Sequence, residues 1–142
     1  MAEKTDVNNA VRFYVQIEGV HHAVFTEVSG LQVETDVLEV REGGNNTFVH
    51  RLPGPSRVGN LTLKHGLVGS SELFRWYMRL VGGRFEPRNL SVCVYDTEGK
   101  ETAHWNFVRA YPVRWVGPIL SGDVGDVAVE TLELAHAGLQ LE

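Results

Sequence analysis

NLSVCVYDTEGKETAHWNFVR, residues 89–109, decides the fold class. Asn89–Tyr95 and Ala103–Arg109 read as strands. The polar or small run Asp96-Thr97-Glu98-Gly99-Lys100 between them supplies turn chemistry, so the stretch reads as a β-hairpin. Toward the N-terminus, Val11, Phe13, Val15 and Ile17 alternate with Arg12, Tyr14, Gln16 and Glu18, the period-two pattern of a half-buried strand. Val20–Ser29, set between Gly19 and Gly30, is a candidate strand. Leu31, Val33, Thr35 and Val37 then alternate with Gln32, Glu34 and Asp36, and the phase changes at Leu38 and Val40, which predicts a β-bulge or bend. Leu61 and Leu63 mark a short strand between Thr62 and Lys64. Toward the C-terminus, Tyr111–Val116 continues the sheet beyond a kink at Pro112. Val127–Ala135 forms a last strand that is apolar in part on both faces and so wants cover on both sides.

Two segments break this pattern. Gly43 to Gly59 carries Gly43, Gly44, Asn45, Asn46, Pro53, Gly54, Pro55 and Gly59, and reads as a long functional loop. Ser71 to Val81 places Leu73, Phe74, Tyr77, Leu80 and Val81 on one helical face, with Ser70 or Ser71 as the cap and Gly82-Gly83 as the stop. The expectation is a mainly β chain of six to eight strands and one helix, forming one domain over residues 1–142.

Composition narrows the function. Hydrophobic residues make up 43% and charged residues 22% of 142, enough to bury a core without disulfide or metal. A formal net charge of -5 argues against the basic footprint of a nucleic-acid binder. No apolar run is long enough for a membrane span, and Met1-Ala2-Glu3-Lys4-Thr5-Asp6 lacks the pattern of a secretory signal. With Cys93 as its lone cysteine, the chain is expected to be made in a reducing cytoplasm.

Catalytic or metal constellations are not evident. His21 and His22 are adjacent and point to opposite faces on a strand, while His50, His65, His104 and His136 are scattered without local ligand spacing. Cys93 lies between Val92 and Val94 with no base nearby in sequence, which reads as a structural thiol. Gly43-Gly44-Asn45-Asn46 lacks the following Lys of a phosphate loop. Glu27, Glu34, Asp36, Glu39 and Glu42 read as the wet face of a strand region, and Trp76, Trp105 and Trp115 as core. No enzyme, cofactor or metal is expected. What does need explaining is the disposal of sheet edges, which a strand-rich chain can achieve by pairing with other copies of itself.

Several segments together resemble one family. They are Glu39-Val40-Arg41-Glu42-Gly43-Gly44-Asn45-Asn46, Arg51-Leu52-Pro53-Gly54, Gly59-Asn60-Leu61-Thr62-Leu63-Lys64, Trp105-Asn106-Phe107, Gly117-Pro118 and Glu130-Thr131-Leu132-Glu133-Leu134-Ala135-His136. In this order, from Phe13 to Leu139, the chain is similar to the tail tube proteins of contractile phage tails and of phage-tail-like contractile injection systems. Val40 departs from a common aromatic of that family, and His65 from a common Arg.

The resemblance implies two packed antiparallel sheets forming a β-barrel or sandwich with one α-helix, the sheets joining between subunits into a hexameric ring. Stacked rings make a rigid hollow tube, which sheath contraction drives through a target envelope. Implied partners are further copies of the chain, the sheath, the baseplate or spike and tube-initiator proteins, a cap or terminator, and a protein effector or DNA as cargo in the lumen. No direct membrane anchor is implied, and the mature location is the inner tube of the particle. By analogy the 43–59 loop reaches a neighbouring subunit or ring, the helix faces the sheath, and acidic strand faces line the lumen. The implied inter-subunit or inter-ring contacts are Arg41, Glu42, Gly43, Gly44, Asn45, Asn46, Arg51, Leu52, Pro53 and Arg57. The alternative within the same fold is a baseplate or tube-initiator adaptor.

Overall fold

Residue alternation becomes pairing throughout the chain, in a computed structural model that describes residues 12–20, 25–41, 49–66, 72–122 and 128–141. Val11, His21, His22, Glu42 to Asn46, Ser70, Ser71 and Val127, all used in the reading above, lie outside the described residues. The elements are β1 (Arg12–Ile17), β2 (Phe25–Ser29), β3 (Val33–Arg41), β4 (Val49–Val58), β5 (Leu61–Gly66), α1 (Glu72–Val81), β6 (Arg88–Tyr95), β7 (Glu101–Val116), β8 (Val129–Ala135) and β9 (Gly138–Leu141).

The expected hairpin is β6–β7. Its turn is fixed by Asp96, whose Oδ1 accepts the backbone N–H of Glu98 and Lys100 (2.9 Å each), and by Gly99 at φ 82°. Seven strands run in the order β1-β6-β7-β8-β5-β2, with β9 also on β7, and every pairing is antiparallel. The long β7 belongs to both halves: residues 101–110 pair with β6, and residues 111–116 pair with β8. The change of partner falls between Ala110 and Tyr111, directly after Arg109, a non-glycine residue at φ 54° whose N–H donates to Asn89 Oδ1 (3.1 Å). The strand thus turns three residues before the expected kink, although a further register shift does follow Pro112.

The two halves close on one core. Ile17, Leu90, Val92 and Phe107 from one half meet Phe25, Leu61, Leu63, Leu132 and Leu134 from the other. Helix α1 covers the assembly with Leu73 and Trp76, both 1% exposed. The sequence reading put Val81 on that inner face and omitted Trp76; Val81 is in fact 63% exposed, because a residue eight positions beyond Leu73 has rotated off the buried stripe. Trp76 donates Nε1–H to Glu86 O (2.8 Å) and carries the Arg88 guanidinium 4.8 Å above its ring. Burial there, and the neighbouring Arg79, lower the Arg88 pKa from its ordinary value. The helix ends as expected at Gly82-Gly83: Gly83, at φ 96°, donates to Leu80 O and Arg84 donates to Arg79 O, the double bond of a Schellman cap.

One buried polar set lies in the core. Glu130 on β8 is fully buried and stands opposite His65 on β5. Its Oε1 meets His65 Nε2, its Oε2 accepts Trp115 Nε1–H (3.1 Å), and His65 Nδ1 is 3.0 Å from Gly66 O. Both carboxylate oxygens are satisfied, the condition for burying such a group. This set also qualifies the two-faced reading of β8: Glu130, Leu132 and Leu134 form one buried face, and the other face is half-buried.

Residues 49–58 overturn the long-loop expectation, because they are strand β4, paired with β3 along its length. Pro53 and Pro55 do not prevent this. β4 pairs with β3 alone among the described strands, so its ladder can spare donors that a central strand needs. The register slips between Thr35 and Val37, where Gly54 and Pro55 together oppose Asp36, so the extra residue lies on β4 and not at the β3 phase change where the bulge was expected. Strand β9 was not foreseen.

Candidate functional site

The β3–β4 hairpin hydrogen-bonds to no other strand of the described structure. Gly59 N–H donates to Gln32 O (3.2 Å) at its base. Thr35 Oγ1 and Ser56 Oγ are 2.8 Å apart, and Arg57 contacts Asp36 and lies 3.8 Å from Glu34. Beyond these ties it is an arm with water on both faces: Val33, Val37, Leu38, Val40, Val49 and Leu52 are each 43–54% exposed. The register explains the arrangement. Leu38 opposes Leu52 and Val40 opposes His50 on one face, while Val37, Glu39 and Arg41 oppose Pro53, Arg51 and Val49 on the other. An isolated two-stranded ribbon with both faces exposed is marginal in water, and among the described residues no other strand pairs with this one.

Arg41, Arg51, Leu52, Pro53 and Arg57, all inferred contacts, are gathered on this one arm. Glu42, Gly43, Gly44, Asn45 and Asn46 lie outside the described residues. A second exposed apolar feature escaped the sequence reading. After β7 the segment Gly117-Pro118-Ile119-Leu120 leaves Ile119 93% and Leu120 84% exposed, beside a shallow hollow lined by Lys64, Val116, Val129 and Thr131. Two adjacent apolar residues directly after Gly-Pro were the available signal, since a turn cannot bury both.

The description of Cys93 as lacking a nearby base does not survive folding. Cys93 opposes His104 across the β6–β7 hairpin, with Sγ 3.6 Å from Nδ1, and Glu101 Oε1 lies 2.7 Å from that same nitrogen.

The sequence profile of the T4-like virus tail tube protein gp19 family matches residues 9–140. The chain belongs to this tail tube family. Among solved structures it is similar to a chain of the sheath–tube complex of the extracellular contractile injection system PVC in its extended state, at 28% identity and TM-score 0.80, covering 92% of this chain and 88% of that one. It is also similar to a chain of the 6-fold symmetrised baseplate of the anti-feeding prophage, at 23% identity and TM-score 0.78, covering 96% and 94%. Hcp1 from Flavobacterium johnsoniae shares the fold at 17% identity and TM-score 0.56, covering 91% and 93%. No curated protein sequence matches significantly. This tail tube subunit is therefore a structural protein with the tube-protein fold. Among the described residues, no helix is long and apolar enough to cross a membrane.

Proposed function

We propose that this tail tube subunit, acting as one domain over residues 1–142, assembles into hexameric rings that stack into a rigid hollow tube. Contraction of a surrounding sheath drives that tube through a target envelope. The observation that carries this reading is the β3–β4 arm, which presents exposed apolar residues on both faces and pairs with no other strand among the described residues. Seated on a neighbouring subunit, it would bury those faces and join sheets between copies, removing the edges that a strand-rich monomer leaves open. Arg41, Arg51, Leu52, Pro53 and Arg57 are the contacts we assign to the arm, and Glu42 to Asn46 continue the same chain segment. The role is mechanical and needs no turnover.

The likeness to the PVC sheath–tube complex supports an injection particle over a true phage tail, with the sheath as outer partner and a baseplate and a terminating cap at the ends. A protein effector or DNA would travel in the lumen. Synthesis would be cytoplasmic, with the mature subunit in the particle. The adaptor alternative is not favoured, since the likeness extends equally to the sheath–tube complex.

The test is electron microscopy of the purified protein over a concentration series, with solution mass measured alongside. Six-fold rings or hollow stacks support the reading. A monomer that also fails to extend from an authentic baseplate defeats it.

A further inference from the structure

Three potential metal ligands of different chemistry converge near the turn of the β6–β7 hairpin, apart from the arm and the Ile119–Leu120 segment. Cys93 and His104 are register partners and share a face. Glu101 precedes His104 by three residues, which on a regular strand would place it on the opposite face. The bulge removes that obstacle: Val94 opposes Ala103 while Tyr95 opposes Glu101, so Thr102 is an extra residue and Glu101 returns to the face of His104. The thiol, a ring nitrogen and a carboxylate oxygen all lie within 4.8 Å of one another.

The way they converge identifies what they suit. In a catalytic triad the nucleophile and the acid address opposite nitrogens of the imidazole. Here Cys93 Sγ (3.6 Å) and Glu101 Oε1 (2.7 Å) both address Nδ1, so the three donors surround one point and do not form a relay. Tetrahedral zinc, with bonds of about 2.3 Å to sulfur and about 2.0–2.1 Å to nitrogen, requires those two ligand atoms about 3.5 Å apart. The observed 3.6 Å already fits, whereas the Nδ1–Oε1 pair, at 2.7 Å, must open to about 3.4 Å, a movement the exposed Glu101 side chain can make.

The surroundings fit as well. His104 Nε2 is 3.1 Å from Asn106 Oδ1, which also accepts the Ser91 hydroxyl hydrogen (2.6 Å). In the metal-free ring the Glu101 carboxylate, 2.7 Å from Nδ1, is the stronger acceptor and holds the proton there, and Asn106 Oδ1 supplies an acceptor for that proton at Nε2 once a metal takes Nδ1. Cys93 is only 6% exposed, His104 is half-buried and Glu101 is exposed, so the set is closed on its thiol side and open on its carboxylate side.

We propose that Cys93, His104 and Glu101 form a binding site for a zinc-class divalent transition-metal ion, with a fourth position left to solvent. On binding, the thiol gives up its proton to water, the carboxylate binds ionised, and the imidazole stays neutral as its proton leaves Nδ1 and is taken up, through water, at Nε2, where it is donated to Asn106. The ion would fasten β6 to β7 beside their turn.

The test uses the reduced, metal-free full-length chain titrated with Co²⁺ alone. A thiolate-to-cobalt charge-transfer band with visible bands of tetrahedral intensity, saturating at one ion per chain and displaced by Zn²⁺, is the expected result. Cys93→Ala abolishes the charge-transfer band with the far-ultraviolet dichroism unchanged. Asn106→Ala keeps the band but weakens binding about 10–100-fold. His104→Gln, at a half-buried and less critical packing position, must weaken binding at least as much, so the test still holds if the cysteine variant folds poorly. Absence of the band overturns the proposal, as does a band that persists in both the Cys93 and His104 variants, or binding with octahedral intensities. None of these outcomes depends on ring or tube assembly.

Discussion

Replacing Leu38 and Leu52 together by serine tests whether the β3–β4 arm holds subunits together. The two side chains face each other across the arm and are each 51% exposed, so about half of each remains to be buried by a neighbour. Full burial of a leucine stabilises by roughly 1.5–3 kcal/mol, so covering the remaining half contributes about 1 kcal/mol per side chain. The double variant then loses about 2 kcal/mol at each arm contact, roughly a 30-fold weakening of that contact. In a closed ring the loss recurs at every junction, so the concentration needed for assembly rises by at least that factor. Neither residue belongs to the core cluster, and melting of the body is expected to shift by less than about 1 kcal/mol. Sedimentation velocity over a concentration series, paired with thermal melting, reads both quantities. Assembly at the wild-type concentration by a normally folded double variant would refute the assignment of the arm as a subunit contact.

Further outcomes follow from other sites. Glu130→Ala leaves His65 and the Trp115 N–H without their buried acceptor and should lower unfolding stability in urea by about 3–5 kcal/mol, whereas a neutral result would show that the set carries no structural weight. Gly30→Ala should destabilise strongly, since Gly30 sits at φ +89° and its new Cβ would stand 2.0 Å from Asn60 O; a melting temperature near wild type would contradict the backbone described here. Arg109→Val, a β-branched residue forced to φ 54°, should cost about 1–2 kcal/mol in thermal unfolding, while Arg109→Gly should be close to neutral. Ile119→Ser with Leu120→Ser should leave monomer stability within about 0.5 kcal/mol yet lower the yield of stacked rings by electron microscopy, because both side chains are almost wholly exposed in the single subunit.

Where local chemistry and tertiary packing agree, the sequence was legible. The β6–β7 turn is written in Asp96 and Gly99, and the end of α1 in Gly82-Gly83, so both elements were readable within a residue or two. Strand β4 was hidden because its identity depends on context. With both faces wet it shows no apolar alternation, and Pro53, Gly54 and Pro55 are tolerated only in a strand with a single partner. Strand β9 is four residues long and is defined by pairing with β7, which no local pattern reports. The Cys93–His104–Glu101 set was invisible for a related reason. Its members come from two strands, and the bulge at Thr102 reverses the facing that simple spacing predicts. Five of the inferred contact residues fell on one arm because the resemblance drew them from a contiguous segment, although the loop conformation expected for residues 49–58 was wrong.

The shared strand β7 has a mechanical consequence. Its 16 residues amount to roughly 50 Å of backbone contour, bent at Arg109, and take part in both halves of the body. A force applied to one half therefore reaches the other along covalent bonds, without crossing a weaker side-chain seam. Pulling the halves apart along this strand would shear several ladder bonds at once, whereas peeling would open them singly. In a stack of such subunits, the seams between copies, and not the join between the two halves, would then be the first to yield.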